Sequence, residues 1–262
     1  MEQNSYRIAL VSDASSWIAP YVEALAATLR VWGHEVTSLH AFDRVHSYDF
    51  AFLLSCSEIV PEKYLALNRH NLVVHESALP AGKGWSPLTW QILEGRDAIP
   101  ITLFEAAAAV DAGRIYLQRT MYFDGTELVD DLRRVQGEAT VALCLDFVKG
   151  YPRILAQARE QTGAESFYPR RRPADSRLDL DKTLREQINL LRVVDNERYP
   201  AFFEWKGQRY RLAVTRMDEG VSTESDHLTS GGAQRKLAVG GFRGRAVASC
   251  CGAAPSRDEA AA

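Results

Sequence analysis

The stretch RIALVSDASSWIAPYVEALAATLRVWGHEVTSL, Arg7 to Leu39, sets the architecture. RIALVS is a short apolar run of strand length. Ala19 to Trp32 carries apolar residues at helical spacing, with Pro20 in its first turn and Gly33 as its stop. Glu35 to Leu39 returns to a strand pattern. The same cycle repeats downstream. Strands are expected at Asp49 to Ser55, at Asn71 to His75 (NLVVH), at Ile101 to Phe104 and at Arg114 to Phe123. Helices are expected at Pro61 to Leu67, at Pro87 to Glu94 and over the long amphipathic span Thr126 to Val148, with Gly150 and Pro152 beyond it. LPAGKGWSP reads as a loop. Strands separated by helices predict an α/β fold, an open and mostly parallel sheet with helices on both faces.

In a chain of 262 residues this pattern makes a main domain over residues 1–160. Residues 161–214 read as a polar linker and a small α+β accessory unit; the run Arg170, Arg171, Arg172 that ends the polar stretch is a solvated connector or, alternatively, a phosphate contact for an anionic substrate. That unit is a helix over Leu184 to Val194 and a hairpin turning at Lys206 and Gly207. Residues 215–262 are rich in Gly, Ala and Ser, with little apolar surface to offset the entropy of ordering, so a disordered tail is expected.

Composition narrows the function. Thirty-one basic and 34 acidic residues leave a formal charge of -3, without the dense positive field of a nucleic-acid binder. Neither a nucleic-acid nor a membrane partner is expected. The four cysteines, Cys56, Cys144, Cys250 and Cys251, form no zinc-ligand pattern, so no metal is expected. The start MEQNSYRIALVSD lacks the form of a signal peptide, and no apolar run is long enough to span a bilayer, which points to the cytoplasm. The first strand leads into SDASSW instead of GxGxxG, and GxxxxGK[ST] is absent, which removes the usual dinucleotide and P-loop phosphate cradles.

The chemistry concentrates between Asn71 and Gly113. His75 ends the apolar strand, and the carboxyl edge of an open α/β sheet is where ligands bind. Asp111 follows in the turn VDAG before the next strand, so a loop carboxylate can meet a strand-end imidazole. A carboxylate beside an imidazole favours the imidazolium and fixes its orientation, and the ring can then donate to a developing oxyanion or move a proton. The other histidines, His34, His40, His46, His70 and His227, have no such setting and read as surface or helix-end residues. Glu76 reads as a surface charge, with acceptance of the substrate amine's proton as the alternative, and Trp90 reads as core.

HESALP, then GKGWSPLTWQILEG, then VDAG, resembles the formyltransferases that use 10-formyltetrahydrofolate, over about residues 5 to 150. YPRRRPADSRLD and RVVDNERYPAFFEWKGQRYRL are similar to the later part of those members that formylate amino sugars on nucleotide carriers. The resemblance implies a Rossmann-like formyltransferase sheet, with 10-formyltetrahydrofolate as co-substrate and a nucleotide-linked amino sugar as the small-molecule partner; a homodimer is compatible with it. It places His75 as the catalytic histidine and Asp111 as its supporting carboxylate. The pterin would lie against Phe104 to Asp111 and the loop from Ser55 to Val60, making Ser55, Phe104 and Asp111 the expected folate contacts. Lys83 stands where arginine is common, and Trp85 is placed to stack on a sugar or base. One position departs: the family's Asn two residues before the histidine, an oxyanion donor, is here Val73. Ser77, Lys83 or a backbone N–H would have to replace it. Two rivals share the core motifs, a methionyl-tRNA formyltransferase and a folate- or nucleotide-binding module without catalysis.

Overall fold

The computed structural model describes residues 5–217. The expected disordered tail from residue 218 onward, with His227, Cys250 and Cys251, lies outside the described residues. In chain order the elements are β1 (Arg7–Val11), α1 (Ala19–Val31), β2 (Glu35–Leu39), β3 (Phe50–Leu53), α2 (Glu62–Leu65) and β4 (His70–His75). There follow β5 (Lys83–Gly84), α3 (Pro87–Leu93), β6 (Ala98–Glu105), β7 (Ile115–Tyr122) and α4 (Val129–Gly150). The described chain ends with β8 (Phe167–Tyr168), α5 (Ile188–Val193), β9 (Ala201–Trp205) and β10 (Gln208–Leu212).

Six strands form one sheet in the order β2-β1-β3-β4-β6-β7. β2, β1, β3 and β4 run parallel, and β6 and β7 add antiparallel at one side. The sheet is therefore mostly parallel, as its strand and helix alternation predicts. Strand alternation divides the core. Ile8, Leu10, Phe50, Phe52 and Leu72 point to one face and pack with Val22, Leu25 and Leu29 of α1, Leu88 and Ile92 of α3, and Leu143 and Phe147 of α4. The intervening Ala9, Val11, Ala51 and Leu53 face the other way, against Phe42, Val45, Tyr48 and Val60. The expected helices on both faces are thus unevenly shared. The long ones gather on the bulky side, and turns and loops cover the side where the strands carry alanines.

Residues 161–214 do not stand apart as a linker and appendage. The chain through Met217 is one compact unit. β8, in the polar segment, pairs in parallel with β5 at Lys83↔Phe167 and Gly84↔Tyr168. A two-residue strand has no periodicity to read, which is why LPAGKGWSP looked like an unpaired loop. Trp90 is half-buried instead of core: its indole N–H donates to the Pro169 carbonyl at 2.9 Å, and its ring stacks on Tyr168. His34 is buried just past the end of α1, a helix-end residue as expected, whereas His70 opens β4 and pairs with Glu105 at 2.9 Å, so it is neither a surface nor a helix-end residue.

Candidate active site

β1, β3 and β4 run parallel, so their carboxyl ends open on the same edge of the sheet. The loops leaving them, with α4 and the segment after β8, wall a cavity of about 720 Å³. His75 sits in that wall at the end of β4, 7% exposed. Its Nε2 is 2.8 Å from the Gly82 carbonyl and 3.8 Å from Oδ2 of Asp111. A carbonyl only accepts hydrogen bonds, so Nε2 carries a proton, and that N–H is held between two oxygens.

Asp111 reaches this position by a constrained route. β6 runs antiparallel to β4, so the chain leaves it at Glu105, opposite Leu72 and away from His75. The loop then folds back and presents Asp111 with a positive φ of 49°. Its Oδ2 accepts the Gly84 N–H at 2.9 Å, and its backbone carbonyl accepts the Gln161 side-chain amide at 2.8 Å. Gly84 has φ +100°, and a Cβ there would lie 2.5 Å from the Tyr168 carbonyl oxygen, so the donor that fixes Asp111 sits where only glycine fits.

The other expected site residues divide. Ser55 and Phe104 stand in the cavity wall, as does Trp85, with the Arg170 guanidinium 4.6 Å above its ring. Ser77 and Lys83 lie outside the wall. Lys83 is 3% exposed and its ammonium is held 2.5 Å from Glu165, while the Ser77 hydroxyl is buried without a hydrogen-bond partner among the described residues. Val73 lines the cavity on the same strand face as His75. Asn71 does not stand in for the missing amide: its Nδ2 donates to the Leu65 carbonyl at 2.8 Å and its Oδ1 accepts from Asn68 at 3.0 Å.

Several further groups line the wall. Glu76 is buried, not a surface charge, because the strand ends at His75 and the chain turns inward. Its Oε1 accepts from Gln136 of α4 at 2.7 Å, and burial pushes its carboxyl up from the ordinary value. Arg133, Arg171 and Arg198 join Arg170 around the cavity. Arg133 is paired with Asp195 at 2.8 Å. Cys56 also lines it, but burial, then the charge of Asp13, pushes its thiol up to about 12, so it stays protonated and is a poor nucleophile. Among the described residues no group of three His, Cys, Asp or Glu is placed to hold a metal ion, and no helix is long and apolar enough to cross a membrane. What the cavity offers is a proton-bearing imidazole beside a fixed carboxylate, a second carboxylate next to it, and arginines around them.

A family model described as formyl transferase matches residues 34–144, the segment that contains both His75 and Asp111. The methionyl-tRNA formyltransferase of Streptococcus gordonii is 26% identical over 184 residues, 70% of this chain and 59% of that protein. The chain spans little more than half the length of the curated relatives it matches. Among solved structures, HypX from Aquifex aeolicus in complex with tetrahydrofolic acid aligns with a TM-score of 0.65 at 18% identity, over 80% of this chain and 38% of that one. A sugar N-formyltransferase from a Shewanella species aligns at 0.58 and 16% identity, over 80% of this chain and 98% of that one. At such identities the structural likeness speaks for the fold.

Proposed function

We propose that this chain transfers the formyl group of 10-formyltetrahydrofolate to the primary amine of an amino sugar carried on a nucleotide. The observation that carries the reading is the approach of His75 to Asp111 in one cavity, within the segment matched by the formyl transferase model. In the proposed reaction the neutral amine attacks the formyl carbon. The Nε2–H of His75 exchanges the Gly82 carbonyl for the developing oxyanion, and Asp111 stabilises the positive ring. Collapse breaks the bond to N10 and leaves the N-formyl sugar and tetrahydrofolate. Val73 offers no hydrogen bond to that oxyanion, so His75 carries more of it. Losing one such donor typically costs about 100- to 1000-fold in rate, which leaves a working catalyst.

The folate donor is supported by the tetrahydrofolic acid in the HypX complex. The sugar acceptor is supported by the sugar N-formyltransferase neighbour, which is matched over nearly its whole length, and by arginines around the cavity that suit phosphate oxygens. A second reading, formylation of methionyl-tRNA, is favoured by the names of the curated relatives. The formal charge of -3 speaks against it, since tRNA binding rests on phosphate neutralisation.

The test incubates the protein with 10-formyltetrahydrofolate, nucleoside-diphosphate amino sugars and methionyl-tRNA, and identifies by mass which acceptor gains a formyl group. Formylated amino-sugar nucleotide is expected. His75→Ala should lower that rate by about 100- to 10,000-fold while still binding folate. Transfer to tRNA alone overturns the acceptor, and folate binding without any transfer would make the chain a binding module.

A further inference from the structure

Glu76 is a buried carboxylate with no ion pair among the described residues. It follows His75 directly in the chain and shares the cavity wall with it. Its position is held at both ends. The Gln91 amide of α3 donates to its backbone carbonyl at 2.5 Å, and the Gln136 amide of α4 donates to Oε1 at 2.7 Å. Oε2 receives no hydrogen bond among the described residues. The charged groups that act on it are His75 and Asp111. Arg133 of α4, one turn before Gln136, is committed to Asp195 at 2.8 Å and Asp130 at 3.8 Å. A glutamine in the place of Glu76 would keep the packing and the contact with Gln136 without a desolvated charge. A carboxylate kept under those conditions, beside the reacting imidazole, is placed for proton transfer.

We infer that Glu76 accepts the proton released by the attacking amine. This rests on the proposed formyl transfer and adds a step to it. The amine nitrogen forms its bond to the formyl carbon with its lone pair, and the carbonyl electrons move to the oxygen that His75 stabilises. The nitrogen, now positively charged, gives one proton to Glu76. When the carbonyl re-forms and the bond to N10 breaks, the proton on Glu76 passes to N10, directly or with the imidazolium giving its proton to N10 and taking the one on Glu76 in return, so donor and acceptor exchange one formyl group for one hydrogen and the protein ends unchanged. Burial supports the role: it raises the affinity of the carboxylate for a proton, Asp111 adds to this and His75 opposes it, so the ionised group is a stronger proton acceptor than an exposed glutamate.

The experiment measures kcat, both KM values and the pH dependence of kcat/KM for the wild type, Glu76→Gln and Glu76→Asp, using 10-formyltetrahydrofolate and the nucleoside-diphosphate amino sugar that the wild type formylates. Melting curves confirm that each variant is folded. Glu76→Gln is expected to lower kcat about 100-fold or more with KM values within a few-fold, and to flatten the fall in rate toward acid pH. Glu76→Asp, which keeps the carboxylate, should recover part of the rate and the acid limb. Unchanged kcat in the glutamine variant, or a lowered kcat with the acid limb intact, overturns the inference while leaving formyl transfer standing. Absence of transfer by the wild type to any amine overturns the proposed function and this step together.

Discussion

The buried carboxyl of Glu76 has a consequence for stability as well as for rate. Its folded-state pKa is raised by burial, so its contribution to stability is fully present below the ordinary glutamate value and is lost as pH rises through the raised one. Glu76→Gln removes that pH-dependent loss. The variant is expected to be more stable than the wild type near pH 8 and to match it near pH 4. Melting curves at the two pH values check this, and an equal difference at both would mean that the folded chain does not desolvate the ionised form. Val73→Asn runs the other way. Val73 packs among Leu79, Phe104 and Ile115, and an amide left unpaired there is expected to cost about 1 to 3 kcal/mol, to be read from melting curves beside the transfer rate. His75 and Asp111 are legible in the sequence because a strand end and a turn are marked by punctuation residues. The burial of Glu76 is not, since it depends on the turn the chain takes after β4 and on a glutamine in α4.

At the scale of elements, the turn that delivers Asp111 depends on how closely two backbones can approach. A Cβ on Gly113 would lie 1.6 Å from the carbonyl oxygen of Glu105, closer than any side chain can be accommodated. The Glu105 carboxylate is itself fixed by the Asn71 N–H at 2.6 Å, His70 at 2.9 Å and the Tyr116 hydroxyl at 2.8 Å, so the strand end has no freedom to retreat. Gly113→Ala is therefore expected to push the returning loop outward. It should cost roughly 1 to 3 kcal/mol of stability and lower transfer at least as much as Asp111→Asn, although residue 113 bears no reactive group. Thermal melts and rates of the two variants decide it, and near-wild-type values for Gly113→Ala would mean the loop has slack. The glycine of VDAG was visible as a turn signal, but its reason, contact with a carbonyl on another strand, is not local. The same limit applied to β5 and β8. Their pairing ties the Gly82 to Trp85 loop to a segment whose polarity alone argued for a solvated connector.

For the whole molecule, the sheet places residues from distant parts of the chain around one cavity, and the arginines show it best. Arg133 belongs to α4, Arg170 and Arg171 follow β8, and Arg198 lies between α5 and β9, yet all four line the space beside His75. A net charge of -3 says nothing of this grouping, because sequence composition averages over the surface whereas the fold sorts charges by position. The four are not equivalent. Arg133 is neutralised by Asp195, and Arg171 donates to the Asp175 carbonyl and the Ser176 hydroxyl. Arg198 donates to the Ser15 carbonyl at 2.7 Å. Arg170 has no ion pair among the described residues and rests on the face of Trp85, which leaves its N–H groups free for an anion. If the acceptor carries phosphate, a charge-assisted contact from Arg170 contributes about 1.5 to 3 kcal/mol. Arg170→Ala should then raise KM for a nucleoside-diphosphate amino sugar about 10- to 100-fold. It should leave kcat and the KM for the folate close to the wild type, and a free amino sugar without phosphate should be formylated equally by both proteins. Steady-state kinetics with the paired acceptors separates the terms. Equal penalties on both acceptors would trace the effect to lost support for Trp85, and no penalty on either would remove the arginines from acceptor recognition.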